Sequence, residues 1–229
     1  MDRDEPSQNQ SPIGHTRDDI LQELQDQSRT DLNDIHYRFI PRGALLSVLT
    51  PKRVRKFVES IVHSGNMNNG KLDSIVNNIS PDHGENCHCK IHVCTGGRII
   101  FVTLLLIRRE DTIESFYTQE NPSVCDKDLP LIQEDMADSM TMPKAFHTFS
   151  PIEKELFRHF QWKMRSPYLT MLGADQDYKE LDSQVALPWI YLKQVTDNSD
   201  PMAGEYSYVQ RIKIDKFHHE FVCLSHSIP

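Results

Sequence analysis

One decamer, RIIFVTLLLI from Arg98 to Ile107, sets the terms on which this chain folds. After Arg98 every residue is apolar or Thr, and Arg108 and Arg109 close the run. A surface helix keeps a polar face; this segment has none, so protein must surround it on all sides. Its β-branched residues would also suit a strand. The continuation Ile113, Phe116, Tyr117 falls at helical spacing, however, and favours a helix from about Thr95 through Arg109, running on after a kink towards Gln119. The run is about half the length a membrane span requires. It is expected to be the centre of a bundle, with no role in a membrane.

The surrounding segments supply helices to pack on it. Arg17 to Gln27 carries Ile20, Leu21 and Leu24 on one face. Residues 40–50 form a short hydrophobic approach, after which Thr50 and Pro51 give a start signal for Val54, Phe57, Val58, Ile61 and Val62 at helical spacing. Lys71 to Ile79 gives a further helix, stopped before Pro81. DKDLPLI (Asp126–Ile132) reads as an extended link, and residues 133–147 as loop. In SPIEKELFRHFQWKM (Ser150–Met164), Ser150 and Glu153 form a capping box, Pro151 fills the first turn, and Ile152, Leu156, Phe160 and Met164 supply the stripe, with Phe157 beside it. After Pro167 the pattern changes to alternation at Val185, Leu187, Ile190, Leu192 and Val195. A turn-rich stretch and the strand-like YSYVQRIKI follow. The expected fold is mainly α: a disordered stretch over 1–16, a helical module over 17–166 and a β-hairpin within 185–223. Trp162, Tyr168 and Trp189 are expected to pack the two parts together.

Charge and cysteine usage bound the function. With 25 basic against 33 acidic side chains the net charge is −8, and the one short basic run, Lys52, Arg53, Arg55 and Lys56, reads as a solvated helix face. No nucleic-acid partner is expected. The first twenty residues hold no apolar stretch of the kind a secretory signal needs, and five cysteines at irregular spacing fit a reducing cytoplasmic interior.

Three stretches invite a chemical reading. HGENCHCKIHVC (His83–Cys94) holds the ligand types of structural zinc, yet all six crowd one segment with no distant second pair. His92 and Cys94, if helical, would diverge by about 200°. An exposed loop with no metal is the reading, with a zinc-dependent adaptor as its rival. His218 and His219 on a strand would point to opposite faces and cannot share an ion, so both read as surface polarity. Cys125 lies among acidic residues that would raise its thiol pKa rather than activate it. No nucleophile–base set and no cofactor site emerges from these.

FVTLLLIRREDTIESFY, DKDLPL, FSPIEKELFRHFQWKMRSPY, LPWIYL and YVQRIKIDKFHHEF occur here in the order in which similar motifs occur in a group of filamentous-fungal protein kinase-like proteins. The resemblance covers about residues 40–223. In that group a helical leader carries an apolar RxxFAxLLLIG helix, a DxDLPF link and a helix ending in Gln-Trp, and a kinase domain follows with a Gly-rich loop and a VYKVKIHPxHHxF strand. The resemblance implies that the end of this chain corresponds to the first two strands of a kinase N-lobe. Gly204 would then be the central glycine of the nucleotide-covering loop, Tyr206 its tip aromatic and Val209 the residue over an adenine. Met202 and Ser207 stand where the outer glycines would be, which leaves these positions vestigial, because the loop works by backbone amides approaching phosphate unobstructed.

No lysine follows Lys216, and no HRD or DFG segment is present. The expectation is therefore a non-catalytic intracellular protein, a regulatory remnant of a kinase-like protein that binds a protein partner or itself. Alternatives are an accessory protein of a fungal biosynthetic gene cluster and a fragment of an active serine/threonine kinase.

Overall fold

The computed structural model describes residues 16–30, 38–61, 68–81, 96–117, 125–131, 144–167, 169, 185–191, 212–216 and 218–219. The protein is mainly helical. Its helices are α1 (Arg17–Asp26), α2 (Arg42–Val48), α3 (Pro51–Ile61), α4 (Asn69–Ile79), α5 (Arg98–Leu106), α6 (Ile113–Tyr117) and α7 (Pro151–Gln161). Short antiparallel pairs join β1 (Arg29–Thr30) to β2 (Arg38–Phe39), and β3 (Trp189–Tyr191) to β4 (Ile212–Ile214). In the second pair Trp189 lies opposite Ile214 and Tyr191 opposite Ile212. The β1–β2 pair inside the helical module has no counterpart in the sequence reading, since two-residue strands leave no periodicity to read.

The apolar decamer is the central helix. From Ile99 to Leu105 every residue of α5 is buried, including Thr103, whose hydroxyl donates back to the Ile99 carbonyl at 2.8 Å. α1 and α7 pack directly against it, α2 lies on α1, and α4 joins α3 to α6. Both ends of α5 are fixed by side chains distant in sequence. At its start, both oxygens of the Asp126 carboxylate accept from the Ile99 amide at 2.9 and 3.1 Å, and Oδ1 also accepts from the Ile100 amide at 3.1 Å. A carboxylate on the orphan amides of a helix N-terminus is doubly favourable, through hydrogen bonds and through the helix dipole. At its end, Arg108 adopts φ 59°, Arg17 donates to the Leu105 carbonyl at 2.8 Å, and a 3-10 turn over Glu110–Thr112 leads into α6. The expected kink is thus a full break, and α6 is a separate helix.

Gly96 opens the turn before α5 at φ +67°, where an added Cβ would sit 2.2 Å from Pro81 and 2.9 Å from the Ile79 carbonyl. Arg98 is buried and reaches the other way, donating to the Leu49 carbonyl at 3.1 Å and to Ser80 Oγ at 2.5 Å.

Several expectations are corrected. Residues 42–48 form helix α2, with Ala44, Leu45 and Val48 buried, where the sequence reading had only an approach segment. Arg53 is not on a solvated face: it is buried and paired with Glu23, while Arg55 pairs with Asp73. Lys144–Thr148 form a 3-10 turn at the end of the predicted loop, and Phe146 from that turn is fully buried. It meets Phe116, Phe149 and Phe157 with ring centroids 5.0–5.1 Å apart, an aromatic cluster that closes the core over α6 and α7. The start signals are as read: Thr50 accepts from the Arg53 amide at the head of α3, and the Ser150–Glu153 capping box stands at the head of α7. Of the leading segment only Thr16 is described, and it caps α1 in a capping box with Asp19.

Candidate functional site

Two places on this frame could do more than hold it together: the outer face of α7, and the junction where the C-terminal residues meet the helices. α7 offers two possible inward stripes. Phe157, Gln161 and Met164 share one face, and Ile152, Leu156 and Phe160 lie on the neighbouring one, a single residue or about 100° around the axis. The phenyl cluster decides between them. Phe157 inserts beside Phe146, Gln161 and Met164 follow it into the interior, and Ile152 and Leu156 turn outward, while Phe160 packs against the edge of the core. Ile152 is 73% exposed and Leu156 37%, with Phe160 half-buried. This reverses the expected orientation for Ile152 and Leu156. Among the described residues they are the large hydrophobics left exposed.

Charged groups border the stripe. Glu153 is held by the Ser150 amide at 2.6 Å and by Arg109 at 3.2 Å. The Ser150 bond is the main reason its carboxyl titrates below the ordinary range. Glu155 pairs with Arg158 at 2.5 Å, and the Lys163 ammonium sits 4.9 Å from the centre of the Phe160 ring. Glu153, followed by Lys154, stands in the first turn of the helix, and Arg158 and His159 stand in the last.

Gln161 ties α7 to the DKDLPL link. Its Nε2 donates to the Leu131 carbonyl at 2.9 Å and its Oε1 accepts from the Leu131 amide at 2.9 Å, so one buried amide satisfies both backbone groups of an extended residue. Asp126, five residues earlier, caps α5. The link expected to be merely extended therefore begins with a 3-10 turn over Asp126–Asp128 and is fastened to two helices.

At the C-terminal junction His218 is fully buried, which overturns its reading as surface polarity. Its Nε2 accepts from the Arg42 amide at the start of α2 at 3.1 Å. Its Nδ1 lies 3.2 Å from the Pro167 carbonyl, and the ring edge meets Phe39 at 5.9 Å between centroids. These partners require the neutral tautomer with the proton on Nδ1. Burial, reinforced by the charge of Arg42 and opposed by the Pro167 bond and Asp215, lowers its pKa to about 4. The His218 carbonyl accepts from the Leu169 amide at 2.7 Å, and Asp215 donates its amide to the Pro188 carbonyl at 2.8 Å. His219, its neighbour, is half-buried. The signal that could have found His218 was the apolar surroundings of Phe39 and Ile40, which no local pattern connects to residue 218.

Gly204, Tyr206 and Val209 lie outside the described residues, as do His83–Cys94, Leu192, Val195 and Tyr168; Trp189 is described in its backbone alone. Trp162 is buried, as expected of a junction aromatic. Cys125 titrates at about 11, and the larger cause is burial, with Asp128 and Asp126 contributing less than the acidic neighbourhood alone implied. Among the described residues, no group of three or more His, Cys, Asp or Glu is placed to hold a metal ion, and no helix is long and apolar enough to cross a membrane. Compared with known proteins, the chain matches no family model, no curated sequence and no solved structure.

Proposed function

We propose that this chain is a non-catalytic intracellular protein–protein interaction module, built like the helical leader of the filamentous-fungal kinase-like proteins, with β3 and β4 answering to the first two strands of their N-lobe. The observation that carries the reading is the outward stripe of α7. Single apolar residues scattered over a surface need no explanation, but Ile152 and Leu156 aligned at i and i+4 on one helix follow the pattern by which helices dock onto partners.

The likeness to the leader is supported by how its motifs meet. The apolar helix, the DKDLPL link and α7 are joined by Asp126 and Gln161, so these three motifs form one bonded unit and would be inherited together. Catalysis is not part of the reading. Phosphoryl transfer is performed by positioned lysine, metal-binding carboxylates and a catalytic aspartate, and these 229 residues hold no HRD or DFG segment. Gly204, Tyr206 and Val209 would be the vestige of a nucleotide loop.

Proximity labelling in cells, comparing the wild type with Ile152→Glu/Leu156→Glu at equal abundance, tests the docking role. A set of neighbours should be present with the first and lost with the second; identical labelling would remove α7 as the docking face. With Mg-ATP at millimolar concentration the purified chain should show neither thermal stabilisation nor phosphate transfer. Transfer would return the chain to the kinases.

A further inference from the structure

We propose that Thr50 is a phosphorylation site for a proline-directed serine/threonine kinase, and that the start of α3 is built to hold the phosphate. The proposal is independent of the role of α7.

Five hydroxyl residues stand directly before a proline: Ser11, Thr50, Ser80, Ser150 and Ser166. Ser80 and Ser166 are buried, and their hydroxyls donate to the Leu49 and Ala186 carbonyls. Ser150 is exposed, but the third residue after it is the acidic Glu153, which closes its capping box. Ser11 lies outside the described residues and has Gly14 at that position. Thr50 alone leads into Pro-Lys-Arg. A hydroxyl, a proline and then a basic residue at the third position is the order that kinases of the cyclin-dependent class select. Thr50, Pro51 and Lys52 are all exposed.

The local structure suits both the transfer and its product. Thr50 Oγ1 accepts from the Arg53 amide at 3.4 Å, a long bond, and Pro51 brings no amide hydrogen to the first turn. The turn is closed by the Val54 amide donating to the Thr50 carbonyl at 2.9 Å, and it opens as helix ends do, to lie extended in a kinase cleft. There Thr50 Oγ1 bonds to the γ-phosphorus of ATP, the bond from that phosphorus to ADP breaks, and the hydroxyl proton passes to the kinase's catalytic carboxylate.

The charges around Thr50 are arranged for an anion. α1 and α7 carry Asp18, Asp19 and Glu153 in their first turns, whereas α3 carries no acidic residue there and has Lys52 and Arg53 instead. Those cations sit at the positive end of the helix dipole, and a dianion on the cap residue offsets both. Arg53 occupies the third helical position, from which a side chain leans back towards the cap, as in a capping box. Its side chain is 8% exposed, its Nη1 is paired with Glu23, and its Nε has no hydrogen-bond partner. Phosphate oxygens on Thr50 supply acceptors for that Nε and for the Lys52 and Arg53 amides.

The full chain, incubated with a purified cyclin-dependent kinase and Mg-ATP, should gain phosphate on Thr50, located by peptide mass spectrometry. Thr50→Asn keeps a good helix cap and lacks the hydroxyl, so it should gain none at residue 50 while keeping the wild-type helicity. The modified chain should melt about 2–4 °C above the unmodified one, and its phosphorus resonance should titrate below the ordinary second pKa of about 6. A chain that gains no phosphate on Thr50 overturns the proposal, whether it stays unmodified or is modified at Ser11 or Ser150 alone. Phosphate on Thr50 that titrates at about 6 or above, or that lowers the melting temperature, keeps the modification site and overturns the receptor.

Discussion

The imidazole of His218 gives this protein a pH dependence of definite sign. In the fold it is neutral down to about pH 4; in the unfolded chain it titrates near 6.5. Between those values the unfolded state binds the extra proton, so stability is complete above about pH 6.5 and is lost as the pH falls towards 4. The upper bound on this contribution is about 3 kcal/mol. Thermal melts of the wild type should therefore drop across that interval more steeply than those of His218→Phe, which keeps the ring's bulk and cannot titrate. Parallel slopes would mean that His218 does not stay neutral in the fold. Asp126 is the second residue whose role is disproportionate to its place in an exposed-looking link. Asp126→Ala leaves the first amides of α5 without their acceptor inside the core. It should cost about 1–3 kcal/mol in urea unfolding. Gly96→Ala, which forces a Cβ against Pro81 at positive φ, should also destabilise the chain.

At the scale of the element, α7 separates what amphipathicity can and cannot say. Its sequence holds two apolar stripes about 100° apart, and either would have made a serviceable inner face. The choice fell to Phe157, whose ring meets Phe146 edge to face, and Phe146 in turn packs on Phe116 and Phe149, an aromatic cluster that a phenyl group extends better than a branched aliphatic chain does. The two stripes should consequently respond in opposite ways to substitution. Phe157→Ala should cost about 3–5 kcal/mol, whereas Ile152→Glu should stay within about 0.5 kcal/mol of the wild type, both read by denaturant melts. Equal losses would place Ile152 in the core after all. The capping box of this helix was legible directly, since Ser150, Pro151 and Glu153 are three consecutive local signals that need no tertiary context.

At the scale of the whole molecule, the β3–β4 pair and the helices are unequal bodies. A pairing of three residues per strand has little stability of its own, and it leans on the helical module through the His218 junction, where the imidazole meets the Arg42 amide and the Phe39 ring. Native-state hydrogen exchange should find the amides of Ile212–Ile214 opening at lower free energy than those of Phe101–Leu105. His218→Ala should widen that gap without exposing α5. Exchange of both groups at one common free energy would make the pair an integral part of a single cooperative unit.

The sequence by itself determined the elements whose causes are local. A run apolar on every side had to become the central helix, caps at Thr50 and Ser150 had to start helices, and the alternation near Trp189 and Ile212 had to extend. Each of these follows from neighbours within a turn or two. Tertiary structure alone decided which of two stripes of α7 faced water, that His218 would be buried under Arg42, and that Asp126 and Gln161 would bind backbone groups about thirty residues away. Those outcomes depend on which surfaces arrive together once the chain has collapsed, and hydrophobic burial fixes how much apolar area is hidden without fixing, from any local pattern, which of two neighbouring faces is hidden.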